Sequence, residues 1–165
     1  MSTLLLLGGP TGVGKTTVLS LLAARLSSTA LLDADDVWRI SPDLAIDGTR
    51  EIAIGNVVAV TRGYAQANCE LAILTWVFAR PELYKPVITA LRDAFESIHQ
   101  LYLVATPEKL ELRLIERGHA DRVQYSISRL RLIEDLPYPK IDTTNLTPDE
   151  VSDRVLAHLR SLEIQ

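Results

Sequence analysis

The chain has 165 residues, a formal net charge of −4 and a composition that is 47% hydrophobic, which suits one globular domain over residues 1–165 with a substantial core. The acidic balance speaks against a nucleic-acid partner held by broad phosphate neutralisation, and no apolar run approaches membrane-spanning length. Cys69 is the single cysteine, which excludes an internal disulfide and thiolate zinc clusters; with no basic segment ahead of the first leucines, the default expectation is a cytoplasmic protein, monomer or homodimer.

Residues 3–7 are a short apolar run that reads as a buried parallel strand. Gly9-Pro10-Thr11-Gly12-Val13-Gly14-Lys15-Thr16-Thr17 follows and matches G-x-x-x-x-G-K-[ST] in full. Residues 18–26 carry apolar side chains at helical spacing. Strand, glycine loop and helix in this order are the context that makes the pattern a phosphate site. Glycines let the backbone curl until its N–H groups converge on phosphate oxygens, and the positive end of the next helix adds to that field. The loop residues Gly9, Thr11, Gly12, Val13, Gly14, Lys15, Thr16 and Thr17 are therefore expected to hold the phosphates of a nucleoside triphosphate. Lys15 supplies a point charge, and the Thr16 hydroxyl takes one Mg²⁺ position. A glycine turn without a ligand is the alternative, but Gly-Lys-Thr between a strand and a helix has little packing rationale.

Residues 30–32 read as a second strand, ending in Asp33-Ala34-Asp35-Asp36. Three carboxylates in four residues at the ligand edge of an open sheet repel one another unless a cation sits nearby. Metal support and acceptor binding are one explanation, and an N-cap from Asp35 or Asp36 to a helix at 37–40 is the other. Pro42 after Ser41 suits a first helical position. Residues 51–67, interrupted by Gly55 and Gly63, read as one or two short helices. Arg50 and Arg62 are cations available to an anionic acceptor, or plain surface arginines.

Residues 71–78 form an apolar run fit for the centre of the sheet. Trp38, Trp76 and Phe78 are placed either to stack on a ring-bearing acceptor or, for Phe78 above all, to fill the core. A loop at 80–86, a helix at 87–97 and a fourth strand at 101–105 follow. Thr106-Pro107-Glu108 then opens a helix that stops at Gly118 and carries Arg113 and Arg117 on one face. His119 reads as surface, and a further helix carries Arg129 and Arg131 before Pro137-Tyr138-Pro139 ends it. A short fifth strand leaves through Thr143 and Thr144, and Thr147-Pro148-Asp149-Glu150 is a capping box for a last helix striped with Val151, Val155, Leu159 and Leu162.

The phosphate loop, the Asp33-x-Asp35 pair, the arginines from Arg113 to Arg131 and the turn after the fifth strand resemble small P-loop kinases of the shikimate kinase, gluconate kinase and chloramphenicol phosphotransferase type, within the nucleoside-monophosphate-kinase-like group. The resemblance implies an α/β three-layer fold with a five-stranded parallel sheet, order 2-3-1-4-5, and helices on both faces. It also implies an acceptor module at about 36–69 and a short lid at about 117–125. Under it, ATP and Mg²⁺ are the cofactors and a small-molecule hydroxyl is the acceptor. Asp35 meets that hydroxyl as general base, Asp33 lies nearer the metal, and Arg113 and Arg117 steady the transferring group unless they are only paired at the surface. Thr143, Thr144 and Asn145 brush the adenine, with ATP over GTP as the family expectation. Many P-loop proteins end the third strand on a metal-linked aspartate; Thr75 and Trp76 stand there instead, which leaves Asp33 as the metal's support. The glycine cluster with which shikimate kinases hold their substrate is missing too, so shikimate itself is disfavoured. Two other readings stay open: a nucleoside or nucleotide acceptor, and a nucleotide-dependent switch without any acceptor.

Overall fold

The computed structural model describes residues 2–38 and 48–162. Strands and helices alternate along it except that two helices lie between the last two strands: β1 (Thr3–Gly8), α1 (Lys15–Ala23), β2 (Thr29–Asp33), α2 (Thr49–Gln66), β3 (Leu71–Trp76), α3 (Pro81–Leu91), β4 (Ser97–Val104), α4 (Pro107–Glu116), α5 (Val123–Glu134), β5 (Lys140–Asp142) and α6 (Pro148–Ser161). The strands form one parallel sheet in the order β2-β3-β1-β4-β5, as expected. The helix at 37–40 and the Ser41-Pro42 start lie wholly or partly outside the described residues.

The leucine run of β1 is explained by its central place. Leu4 and Leu6 face a core shared with Val57 of α2 and Val87 and Leu91 of α3, while Leu5 and Leu7 face one shared with Val18 and Leu22 of α1 and Val155 and Leu159 of α6. A strand covered on both faces needs apolar residues at every position, not at alternate ones. No described helix is long and apolar enough to cross a membrane.

Several boundaries differ from expectation. α1 begins at Lys15, inside the motif, with Gly14 as its cap. α2 is one helix through both glycines, because open space surrounds Gly55 and Gly63 and nothing forces a break there. α3 starts at Pro81, where a proline at the first helical position loses no needed N–H, and it carries Pro86 within it. β4 begins at Ser97 because β1 pairs with it from Thr3 onward, whereas β5 covers only Tyr102 to Val104. The uncovered start of β4 tolerates Ser97, His99 and Gln100, and those polar residues hid the strand. β3 stops at Trp76, since Phe78 takes φ 47° and turns the chain, with its carbonyl held by the buried Tyr102 hydroxyl at 3.1 Å.

Candidate active site

The ends of β1, β2 and β3 meet at the loop 9–14. Gly12 and Gly14 sit at φ 84° and 110°, where a side chain would be strained, and Leu114 of α4 packs where a Cβ on Gly12 would stand, 2.9 Å away. Two contacts from distant helices fix the loop's path. The buried Ser126 hydroxyl of α5 donates to the Thr11 carbonyl at 2.6 Å, and Arg113 of α4 donates to the Val13 carbonyl at 3.3 Å. Thr11 was marked by the loop motif, but Ser126 has no signal in the linear sequence.

Lys15 curls back so that its Nζ donates to the Gly9 and Pro10 carbonyls at 2.8 and 3.1 Å. Burial of that ammonium pushes its pKa down to about 8, against the opposing pull of Asp33 and then Asp35. The Thr16 hydroxyl donates to Asp33 Oδ2 at 2.7 Å. Asp33 Oδ1 accepts from the Asp35 backbone N–H at 3.2 Å, which caps a 3-10 turn at Ala34–Asp36. Asp33 is thus the cap of this turn; the helix at 37–40 that Asp35 or Asp36 could have capped lies partly outside the described residues.

A cavity of about 220 Å³ opens above these groups, lined by Thr11, Gly12, Gly14, Lys15, Thr16, Thr17, Asp33 and Asp35. Trp76 and Val77 close one side, and Arg117, His119 and Arg122 close another. The sequence reading left His119 at the surface; it is exposed, yet it stands on this cavity's rim.

Arg113 and Arg117 part company here. Arg113 donates to the Thr143 hydroxyl at 3.0 Å and to the Thr143 carbonyl at 2.7 Å. Burial lowers its pKa, with the nearby charge of Arg117 adding to the effect and Asp142 opposing it. It lines a second cavity, of about 270 Å³, with Val13, Thr17, Leu112, Thr143, Leu146 and Pro148, and only Arg117 of the two borders both cavities. Thr144 turns its hydroxyl to Asp142 Oδ1 at 2.5 Å and accepts the Thr106 N–H at 3.0 Å, so it fastens β5 to the start of α4. The Thr144 hydroxyl, and the Thr144 backbone N–H that donates to the same oxygen at 2.9 Å, hold the Asp142 carboxyl below its usual range.

Arg62, a candidate cation for an anionic acceptor, pairs with Asp93 through two bonds of 2.8 and 3.0 Å and also donates to the Ala90 carbonyl. It ties α2 to the end of α3.

No protein-family model matches the chain, and neither does a curated protein. Solved structures do. The tunicamycin resistance protein of Deinococcus radiodurans is 21% identical, with 96% of each chain covered and a TM-score of 0.75. A gluconokinase from Sinorhizobium meliloti is 16% identical over 96% of this chain and 91% of its own, at TM-score 0.70. A sugar kinase from Janibacter is 18% identical over 99% and 95%, at TM-score 0.65. At these identities the likeness is one of fold, and the fold is that of the small P-loop kinases.

Proposed function

We propose that this chain is an ATP- and Mg²⁺-dependent phosphotransferase that moves the γ-phosphoryl group to a hydroxyl of a small molecule. The observation that carries this reading is the Thr16–Asp33 hydrogen bond at 2.7 Å, with Asp35 and Lys15 lining the same cavity. It supports a division of labour between two neighbouring carboxylates, one turned to the phosphate loop and one to the space where an acceptor would stand.

In this reading the loop amides and Lys15 hold the phosphates. Thr16 and Asp33 bring two hard oxygen donors together, a set that fits Mg²⁺, which takes few protein ligands and completes its shell with phosphate and water. The metal, when bound, neutralises charge on the phosphates. The second cavity, with Leu112, Leu146 and Pro148 as apolar walls and Thr143 at its edge, receives the nucleoside. Asp35 takes the acceptor's proton, and Arg117 steadies the transferring group, with residues 117–125 as the lid and 36–69 as the acceptor module. Positioning and electrostatics carry most of such chemistry.

The engagement of Arg62 with Asp93 favours a neutral acceptor such as a sugar, a nucleoside or an antibiotic over a nucleoside monophosphate, which needs arginines for its phosphate. The gluconokinase and sugar kinase among the structural neighbours support putting sugars first.

The test is ADP release with Mg·ATP across sugars, nucleosides, nucleotides and aminoglycoside or phenicol antibiotics, with Asp35→Asn alongside. One acceptor is expected to raise the rate well above background, and the variant to lose at least about a hundredfold of it with ATP affinity nearly unchanged. A variant as active as the parent would remove Asp35 from the chemistry. A flat panel with tight ATP binding would favour a nucleotide-dependent switch.

A further inference from the structure

The chain has two tryptophans; Trp38 bonds to Asp35 and Trp76 lines the same cavity as Asp35. Trp38 donates its indole Nε1–H to Asp35 Oδ1 at 3.3 Å. Its ring leans on Trp76, with centroids 6.3 Å apart and planes tilted by 60°, and Trp76 meets Phe78 edge-on at 5.8 Å. Phe78 and Trp76 are buried, so the row is anchored in the core at one end and touches the carboxylate at the other. The stretch has a second brace: Asn56 of α2 donates its Nδ2 to the Val37 carbonyl at 2.8 Å, one residue before Trp38.

The two carboxylates of the Asp33-x-Asp35 pair are therefore held by different partners. Asp33 answers to the phosphate loop through Thr16, and Asp35 answers to the aromatic row and α2. An indole at a half-exposed position can satisfy its N–H with water, so packing alone does not aim it at a carboxylate. What the bond does is restrict the carboxylate's rotation, with one oxygen engaged and the other left for a reacting partner.

We propose that Trp38 is a positioning residue for phosphoryl transfer: its indole N–H fixes Asp35 in the orientation that receives the acceptor hydroxyl's proton, and α2 sets that orientation through Asn56. The inference rests on the reading of Asp35 as the acceptor's base. In the step itself, the acceptor oxygen bonds to the γ-phosphorus as the bond from that phosphorus to the β–γ bridging oxygen breaks. The proton passes to Asp35, and ADP leaves with the bridging oxygen's electron pair.

Two measurements test it. The first needs no acceptor. In Trp76→Phe protein one indole N–H resonance remains, that of Trp38, and Asp35→Asn is expected to move it upfield and speed its exchange with solvent. A neutral amide oxygen accepts a weaker hydrogen bond than a carboxylate. An unmoved resonance overturns the proposal.

The second uses the acceptor that scores in the ADP-release panel. Trp38→Phe keeps a ring against Trp76 and deletes the donor. It is expected to lower kcat by about tenfold while the KM for ATP and the melting temperature hold, and to add nothing on an Asp35→Asn background. Asn56→Ala, which leaves both tryptophans in place, is expected to lower kcat by about threefold. An unchanged kcat in both variants, or a full additional loss in the double variant, makes Trp38 a packing residue. If Asp35→Asn is damaged while Trp38→Phe is not, this inference falls and the reading of Asp35 stands. If Asp35→Asn is itself silent, the reading of Asp35 falls first.

Discussion

Gly14, Thr17 and Arg117 border both cavities beside the phosphate loop, yet the two are framed by different kinds of contact. On the side assigned to the nucleoside, a distant side chain clamps main-chain carbonyls: Arg113 holds those of Val13 and Thr143. On the side assigned to the acceptor, the two carboxylates are held by other side chains, Asp33 by Thr16 and Asp35 by Trp38. A clamp on the main chain fixes the shape of the loop whatever lies in the cavity. A wall of side chains changes with each substitution and leaves the loop intact. The first suits a ligand common to many relatives of a fold, and the second suits a ligand that differs among them.

The sharpest way to break this comparison is to remove the two arginines at the end of α4, Arg113 in its last turn and Arg117 as its C-terminal cap. Arg117→Ala is expected to lower kcat on the order of a hundredfold, as when one donor to developing charge is lost, with the melting temperature unchanged. Arg113→Ala is expected to act the other way. It frees the Val13 and Thr143 carbonyls, costs about 1–3 kcal/mol of stability and raises the KM for ATP more than it lowers kcat. Thermal unfolding together with ATP and acceptor titrations of both variants checks this. Matching kinetic and thermal profiles would mean that the two cavities are not framed differently after all.

How much of this was legible in the sequence divides along the same line. The strand, the loop, the N-cap at Thr106 and the capping box at Thr147 are local patterns, and the structure has them where the residues say. The sheet order followed from the resemblance those patterns support. Ser126 was not legible, because its role depends on α5 crossing Thr11, 115 residues away in the chain. Arg113 and Arg117 could be put on one face but not told apart, since the difference lies in the approach of Thr143. α3 was shifted because Pro81 and Pro86 in close succession look like a loop, although one sits at the first helical position. The start of β4 was missed because a strand with one uncovered edge loses the apolar signature of its neighbours.

A smaller effect, and one confined to the phosphate loop, comes from Lys15. Its pKa of about 8 in the free protein reflects burial, which disfavours the ammonium more than Asp33 and Asp35 favour it. Triphosphate binding adds negative charge and draws the proton back. ATP affinity is therefore expected to be level below about pH 8 and to fall above it, by no more than about tenfold per pH unit, with proton uptake on binding. The stability of the free protein runs in the opposite sense. Because the folded pKa is depressed, the unfolded chain holds more protons between about 8 and the ordinary lysine value of 10.5, and stability rises with pH across that window. Calorimetry in two buffers of different ionisation enthalpy, at pH 7 and above pH 8, reads the uptake directly; none at either pH would mean that Lys15 keeps its proton without the nucleotide.

The smallest expected effect is the most informative about the acceptor side. Arg62 lies on α2, in the segment proposed to face the acceptor, and a nucleotide acceptor would need such a cation. Its guanidinium instead makes two bonds to Asp93, whose side chain is 72% exposed. A pair this open to water is largely screened and contributes little, so Arg62→Ala is expected to leave the acceptor's KM unchanged and to lower the melting temperature by no more than about a few degrees. If that KM rises tenfold or more while the KM for ATP holds, Arg62 releases Asp93 when the acceptor arrives. The acceptor would then be anionic, and the α2–α3 tie would be a contact exchanged on binding, not part of the resting frame.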